Sequence, residues 1–83
     1  MKISFDKKYF RKYERETHSI HEPVPVTYQT FIVDGKKILQ IDGYNSKVNI
    51  QDIGTLKQSD YKMQFDKETA AEFIKLIRNE LGI

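Results

Sequence analysis

The sequence predicts a small α+β domain in which an antiparallel sheet of three to four strands packs against one C-terminal amphipathic helix. Three observations carry this prediction. Asp34-Gly35 separates two runs of strand-forming residues, residues 61–65 alternate between apolar and polar side chains, and Asp66 opens a segment with helical apolar periodicity. A chain of 83 residues buries only about 60% of its unfolded surface. Proteins with such thin cores often dimerise, so we expect a homodimer.

Residues 1–22 form a basic N-terminal segment, which precedes the sheet and helix of a single domain over residues 23–83. The alternation at residues 3–5 predicts a short strand. Asp6 is a favourable N-cap for a short helix over residues 7–16. Because isolated helices of this length are marginal, we expect the segment to order only by packing or by binding a partner.

A β-hairpin is predicted from the residue types at its turn. Val26–Val33 and residues 36–42 are rich in strand-forming residues and are joined by Asp34-Gly35. A two-residue Asp-Gly loop favours a type I′ turn, since both of its positions need a positive φ. This turn sets the pairing register of the two strands.

The register divides the hairpin into two faces. One face pairs Phe31 with Ile38 among polar residues. The other, more apolar face pairs Ile32 with Lys37, Thr30 with Leu39, and Tyr28 with Ile41. We expect the more apolar face to contact the helix. The Phe31–Ile38 pair is then exposed and is a candidate contact surface.

The connection between the hairpin and the helix has a weaker pattern. Residues 43–46 are typical of a turn, residues 47–51 alternate like a short strand, and residues 52–54 favour a second turn. The alternation at residues 61–65 predicts a strand with three side chains directed inward, namely Tyr61, Met63 and Phe65.

The C-terminal helix is predicted over residues 66–81. Asp66 is a favourable N-cap, and Gly82 suits the position after the last turn. Its apolar stripe comprises Ala70, Phe73, Ile74, Ile77 and Leu81. With its neighbours this stripe is wider than one sheet face needs, which predicts that the helix also contacts a second subunit through Phe73 and Ile77.

The composition argues against several classes of function. The chain has no cysteine, so neither disulfides nor thiolate zinc sites are expected. No apolar run approaches the roughly 20 residues that cross a bilayer. We therefore expect a cytoplasmic protein with no membrane partner and no cofactor.

A catalytic or metal site is not expected either. His18, His21 and Glu22 resemble a metal cluster, but their spacing matches none of the standard zinc signatures, and we interpret them as a polar loop. Asp42 is expected to bond to the backbone of the following turn. Neither a nucleophile nor a glycine-rich phosphate loop accompanies these groups, so we expect no enzymatic activity.

Positive charge is concentrated at the N-terminus. The whole chain has a net charge of +2, whereas residues 1–15 contain six basic and two acidic residues, a charge of +4. Basic and aromatic residues interleave there, as in proteins that bind single-stranded nucleic acid. The alternative interpretation is a solvated segment whose rings pack. The candidate nucleic-acid-binding residues are Lys7, Lys8, Tyr9, Arg11, Lys12, Tyr13, Lys36, Lys37, Tyr44 and Lys62.

The order of these parts resembles the family of the transcriptional coactivator positive cofactor four and its bacterial relatives. The resemblance covers about residues 27–81 and rests on the strand Ile38-Leu39-Gln40-Ile41-Asp42, the strand at residues 62–65 and the capped helix at residues 66–81. It implies a curved sheet, dimerisation through the helices, and binding of single-stranded DNA by basic and aromatic residues of the sheet. Residues 39–46 and 64–66 also resemble small bacterial proteins without an established function.

Two hypotheses about function follow. The first is a dimeric module that binds single-stranded DNA or RNA, with a role in transcription or DNA metabolism. The second is a small protein-interaction module that regulates or inhibits a partner macromolecule. The second hypothesis rests on the exposed Phe31–Ile38 pair and on the near-neutral total charge.

Overall fold

The computed structural model describes residues 2–45, 47–52 and 58–83. Its elements are the strands β1 (Val26–Val33), β2 (Lys36–Gly43) and β3 (Tyr61–Phe65), followed by the helix α1 (Lys67–Leu81). The strands form one open antiparallel sheet in the order β1-β2-β3. The predicted α+β class is therefore confirmed, with three strands in the described part of the chain.

The hairpin has the predicted turn and register. Asp34 and Gly35 have φ angles of 50° and 77°, and a type I′ turn needs positive φ at both positions. Phe31 lies opposite Ile38, and the pairing continues without a bulge from Val33–Lys36 at the turn to Val26–Gly43 at the open end. Residue types at the turn thus determine which side chains share a face.

The N-terminal segment has less regular structure than the sequence predicts. The expected first strand is reduced to a single parallel bridge between Lys2 and Gln64. The expected helix over residues 7–16 is a single turn, in which the Asp6 carbonyl accepts the N–H groups of Tyr9 and Phe10 at 2.9 and 3.1 Å. No further helix or strand follows up to residue 25. The helix prediction was wrong because a cap alone does not offset the cost of nucleating a short helix.

The predicted strand over residues 47–51 is replaced by turns. The side-chain oxygen of Asn45 accepts the N–H of Lys47 at 2.8 Å, and that of Asn49 accepts the N–H of Gln51 at 3.0 Å. These local bonds take backbone donors that a strand would use in a ladder. The second predicted turn, at residues 52–54, extends outside the described residues, as does Ser46 of the first.

The helix begins and ends where the sequence predicts. Asp66 is the N-cap, and its carboxylate accepts the N–H of Thr69 at 2.8 Å while the Thr69 hydroxyl accepts the N–H of Asp66 at 3.0 Å. Gly82 has a φ of 69° and donates to the Arg78 carbonyl at 2.9 Å. This left-handed residue ends the helix at low steric cost because glycine has no Cβ.

The face of the sheet that was expected to lie under the helix is largely open. We call it the open face; its residues are Val26, Tyr28, Thr30, Ile32, Lys37, Leu39, Ile41, Met63, Tyr61 and Phe65. The side chains of Tyr28, Ile32 and Tyr61 are 79%, 70% and 69% exposed. The prediction that Tyr28 and Ile32 face the helix and that Tyr61 points inward was therefore wrong. Only Asp66 separates β3 from α1, so the helix stays beside β3 and does not cross to β1.

The opposite face of the sheet, which we call the groove face, carries Phe31 and Ile38. Both were expected to be exposed, and both are half-buried. Lys2 and Gln64, which are bridged at the β3 edge, lie around the same groove as this pair. Lys2 of the N-terminal segment therefore lies at the border of this surface.

Among the described residues the buried apolar side chains are Tyr44 and Phe65, and a series of ring contacts among half-buried phenylalanines ends on Phe65. The Phe65 and Phe73 ring centroids are 5.3 Å apart, and Phe5 lies 6.3 Å from Phe73 and 4.6 Å from Phe10. Phe65 is buried. On α1, Ala70, Phe73, Leu76 and Ile77 are half-buried, whereas Ile74 and Leu81 of the predicted stripe are exposed, since no strand lies beneath them. None of the described helices is long and apolar enough to cross a membrane.

Candidate nucleic-acid interface

Residues 7–15, which we call the basic-aromatic segment, lie beside the C-terminal half of α1. Every residue of the segment is exposed except Phe10. Phe10 contacts the Phe5 ring and, with Ile77 and Leu81, lines a cavity of about 350 Å³. This apolar contact anchors the segment, so the side chains on either side of Phe10 are held at the surface.

Ion pairs add a smaller contribution to this anchoring. Lys12 Nζ lies 3.6 Å from a carboxylate oxygen of Glu80 on α1 and 3.6 Å from one of Glu14. All of these side chains are exposed, and exposed pairs contribute only about 0–1 kcal/mol. Within the part of the chain that the structure describes, the ion pairs of the basic-aromatic segment all involve Lys12. Lys7, Lys8 and Arg11 therefore keep their charge available to a ligand.

The two tyrosines of the basic-aromatic segment do not pack into the core. Tyr9 is 73% exposed and Tyr13 is 67% exposed. Lys8 Nζ lies 5.7 Å from the centroid of the Tyr9 ring. The interpretation that the segment's rings pack holds for Phe10 and not for these tyrosines.

Arg15 also belongs to this arrangement and was not among the residues predicted from the sequence. The guanidinium carbons of Arg11 and Arg15 each lie 5.7 Å from the centroid of the Tyr13 ring. Residues 11, 13 and 15 are thus brought together at a spacing of two in the sequence. This spacing of two residues was visible in the sequence. It was not used because a helix was expected over residues 7–16, and side chains two apart do not share a helix face.

The lysines of the hairpin turn lie apart from the basic-aromatic segment. Lys36 and Lys37 line a cavity with Asp66 and Lys67 at the start of α1, whereas Arg11 and Lys12 lie near its end. A helix of 15 residues is about 22 Å long. These two lysines and the basic-aromatic segment therefore lie toward opposite ends of the helix.

Tyr44 and Lys62 occupy different environments again. Tyr44 is buried, and its hydroxyl lies 3.2 Å from the Thr27 hydroxyl. Its N–H donates to the Pro25 carbonyl at 3.0 Å, so its role in the fold is structural. Lys62 is exposed and lies opposite Asp42 on the groove face.

Asp42 is buried and is bonded by side chains rather than by the backbone of the next turn. Its carboxylate accepts the Gln40 amide at 3.0 and 3.2 Å and the Ser59 hydroxyl at 3.2 Å. The Gln64 amide donates in turn to Gln40 Oε1 at 2.9 Å. The carboxylate is thus held in a polar network across the groove face, which corrects the expected backbone partners.

A groove of about 510 Å³ lies above the Phe31–Ile38 pair, and Lys2 and Lys36 also line it. The Asp66 carboxylate lies at its edge. The bonds from the Thr69 N–H and hydroxyl lower the pKa of Asp66, and the charges of Lys2 and Lys36 lower it further. Asp34 also lines the groove, so its two lysines are balanced by two carboxylates. The groove is apolar and close to neutral.

The remaining candidates are the helix residues Phe73 and Ile77 and the two histidines. Phe73 contacts Phe5, and Ile77 lies around the same cavity as Phe10, so the N-terminal segment of the same chain covers part of both. His18 is exposed, with Nε2 2.7 Å from the Arg15 carbonyl oxygen. In residues 2–45, 47–52 and 58–83, no group of three or more His, Asp or Glu side chains is placed to hold a metal ion.

Comparison with known proteins identifies no relative of this chain. No protein-family model, curated protein or solved structure matches the chain. The features that bear on function are therefore the exposed basic-aromatic segment, the neutral groove and the open face of the sheet.

Proposed function

We propose that this protein is a module that binds single-stranded nucleic acid, DNA or RNA, as a dimer. The observation that supports it most is the exposure of Tyr9 and Tyr13 with cationic groups 5.7 Å from their ring centroids. The likeness of the chain's plan to positive cofactor four suggests a role in transcription or DNA metabolism.

The chemistry of the basic-aromatic segment favours a single strand over a duplex. The face of an exposed tyrosine ring stacks on an unpaired base, and each stack contributes about 1–3 kcal/mol. Bases in a duplex are already stacked on each other and do not present their faces. Lys7, Lys8 and Arg11 are exposed beside the rings, where they can contact the phosphates that link stacked bases.

Fluorescence anisotropy of a labelled single-stranded oligonucleotide tests the proposal. We expect micromolar or tighter binding at low salt. The logarithm of the affinity should fall with the logarithm of the salt concentration by about 0.7 per phosphate contact, because bound counterions are released. No binding at low salt, or binding that is independent of salt, would contradict the proposal.

Two sets of variants assign the binding to the basic-aromatic segment. Tyr9→Ala with Tyr13→Ala should lower the affinity by at least about 30-fold, since two stacks of about 1–3 kcal/mol each are lost. Tyr61→Ala, which removes another exposed ring, is the matched control and should leave the affinity unchanged.

The charge can be tested in the same way. Changing Lys7, Lys8 and Arg11 together to glutamine should weaken binding to all sequences and reduce the salt slope by about 2. The matched control changes three exposed lysines elsewhere to glutamine, namely Lys47, Lys67 and Lys75. An equal loss in both triple variants would mean that net charge, rather than this segment, drives the binding.

The alternative function, a protein-interaction module, has one observation in its favour. The groove above the Phe31–Ile38 pair is apolar, and its lysines and carboxylates balance, which suits an apolar side chain of a partner better than a phosphate. Phe31→Lys should then abolish capture of the partner while the circular dichroism spectrum stays that of the folded protein. Retained capture by the folded variant would remove the groove from consideration.

A further inference from the structure

The outer edge of β1 is an open strand edge. β1 is the first strand in the order β1-β2-β3, and among the described residues no other segment pairs with its outer side. The opposite edge of the sheet differs, because Lys2 bridges to Gln64 of β3 and the Ile3 N–H reaches the Gln64 carbonyl at 3.4 Å. An unpaired edge presents backbone donors and acceptors to a second strand.

The register shows which backbone groups point outward from this edge. In a two-residue hairpin the residues that flank the turn, Val33 and Lys36, exchange hydrogen bonds, and bonded and non-bonded pairs then alternate along an antiparallel ladder. The Pro25 carbonyl accepts the Tyr44 N–H, which agrees with odd-numbered residues pointing toward β2. The N–H and C=O groups that point outward belong to Val26, Tyr28, Thr30 and Ile32.

β1 lacks the features that normally protect an edge strand. Its eight residues, VTYQTFIV, contain no charged residue, proline or glycine, and the strand pairs with β2 without a bulge. Natural edges are usually blocked by lysine, proline, bulges or covering elements. On the open face, Tyr28 and Ile32 are moreover strongly exposed.

The strand is also complementary to a second copy of itself. If two β1 strands run antiparallel with Gln29 opposite Gln29, then Val26 lies opposite Ile32 and Tyr28 opposite Thr30. All outward-pointing groups then meet a partner, which gives about eight backbone hydrogen bonds. Every side-chain pair is uncharged, and the Val26–Ile32 pairs are apolar.

The exposed surface of the chain is large enough to supply such an interface. A compact protein of 9.8 kDa exposes about 5,200 Å², whereas this chain exposes 7814 Å². Part of the excess belongs to residues 11–24, which are all exposed. β1 contributes to the rest, since six of its eight residues are exposed, and a stable interface of standard size needs about 800 Å² per partner.

We infer that two copies of this chain join along their β1 edges, antiparallel and centred on Gln29, into one six-stranded sheet. The two-fold axis is perpendicular to the sheet, so both open faces lie on one side and both grooves on the other. This inference locates the contact of the dimer in the proposed function. It rests on β1 alone and is tested without nucleic acid, so its failure and the failure of nucleic-acid binding are separate results.

Single cysteines test the register directly, because the chain has no cysteine of its own. In the inferred dimer the two Gln29 residues form a non-hydrogen-bonded pair with Cα atoms about 4.5 Å apart, within the range of a disulfide. Gln29→Cys should therefore cross-link to a species of twice the chain mass under mild oxidation. Val33→Cys is the control, since two residues at this position lie about 27 Å apart and should not cross-link.

Two measurements on the unaltered chain complete the test. Sedimentation equilibrium should give twice the 9.8 kDa mass, and hydrogen exchange should show the outward N–H groups of Tyr28 and Thr30 as protected as the inward one of Phe31. Thr30→Pro removes one outward donor and should give a folded monomer, whereas Thr30→Val should stay dimeric. A monomer at all concentrations, rapid exchange at Tyr28 and Thr30, or equal cross-linking of both cysteine variants would overturn the inference.

Discussion

The two edges of the sheet are completed in different ways. At the β3 edge, Lys2 bridges to Gln64, the Phe73 ring packs close to Phe65, and Phe5 lies on the far side of this pair, near Phe73. At the β1 edge, nothing in the described part of the chain covers the strand, and Tyr28 is 79% exposed. In the described part of the chain, apolar residues therefore cover one edge, and the other edge is unpaired.

The same division separates the two kinds of aromatic residue. The phenylalanines at positions 5, 10, 65 and 73 form the cluster at the β3 edge. Four of the five tyrosines, Tyr9, Tyr13, Tyr28 and Tyr61, are exposed. A tyrosine ring is apolar with one polar atom, so it is tolerated at the surface and suits recognition. The phenylalanines pack together within the chain, and the exposed tyrosines lie on the surfaces that we propose to bind nucleic acid or a second copy of the chain.

Phe65→Ala should have the largest effect on stability, because it removes the buried centre of the β3 edge. Truncation of a buried phenylalanine costs about 3–5 kcal/mol, a large share of the stability of so small a domain. We expect loss of the cooperative unfolding transition in urea, followed by circular dichroism. Tyr9→Ala is the control and should unfold as the unaltered chain does. A normal transition for Phe65→Ala would show that the cluster is not the core.

Phe10→Ala should have a smaller and more local effect. The variant loses the ring contact with Phe5, at 4.6 Å, and such a pair contributes about 0.5–1.5 kcal/mol beyond the area that it buries. The sheet should remain intact while residues 7–15 become mobile, which heteronuclear NMR relaxation would show. The affinity for an oligonucleotide should also fall, since the segment must then be ordered on binding. Unchanged relaxation would mean that the Lys12–Glu80 pair holds the segment instead.

The parts of the fold that the sequence predicts correctly depend on local chemistry. Asp34-Gly35 requires two positive φ angles, and Asp66 and Gly82 cap the helix with their own atoms. The predictions that are wrong concern segments in which two local conformations compete, or in which a contact with a residue distant in the sequence determines the conformation. Asn45 and Asn49 form side-chain turns in place of a strand.

The same limit applies to the candidate site. The sequence shows that basic and aromatic residues interleave at residues 7–13, but it does not show which rings are exposed. Phe10 points inward because it packs on Phe5 and lies beside the apolar side of α1. The helix residues are distant from Phe10 in the sequence, and the position of Phe5 depends on how the N-terminal segment folds. The exposure of Tyr9 and Tyr13, on which the proposed function depends, is a result of tertiary structure.

The smallest expected effect is a pH dependence at the start of α1, where the covered edge meets the hairpin turn. The bonds from Thr69 hold the pKa of Asp66 below its ordinary value of 3.8. A depressed pKa in the folded state means that the ionised cap stabilises the protein above the unfolded value, and that this contribution is lost as the pH falls through the folded value. Urea unfolding between about pH 5 and pH 2 should therefore show a falling free energy of unfolding. Asp66→Asn keeps a capping oxygen without a titrating group, so its curve should be flatter, and an equal slope would place the dependence on other carboxylates.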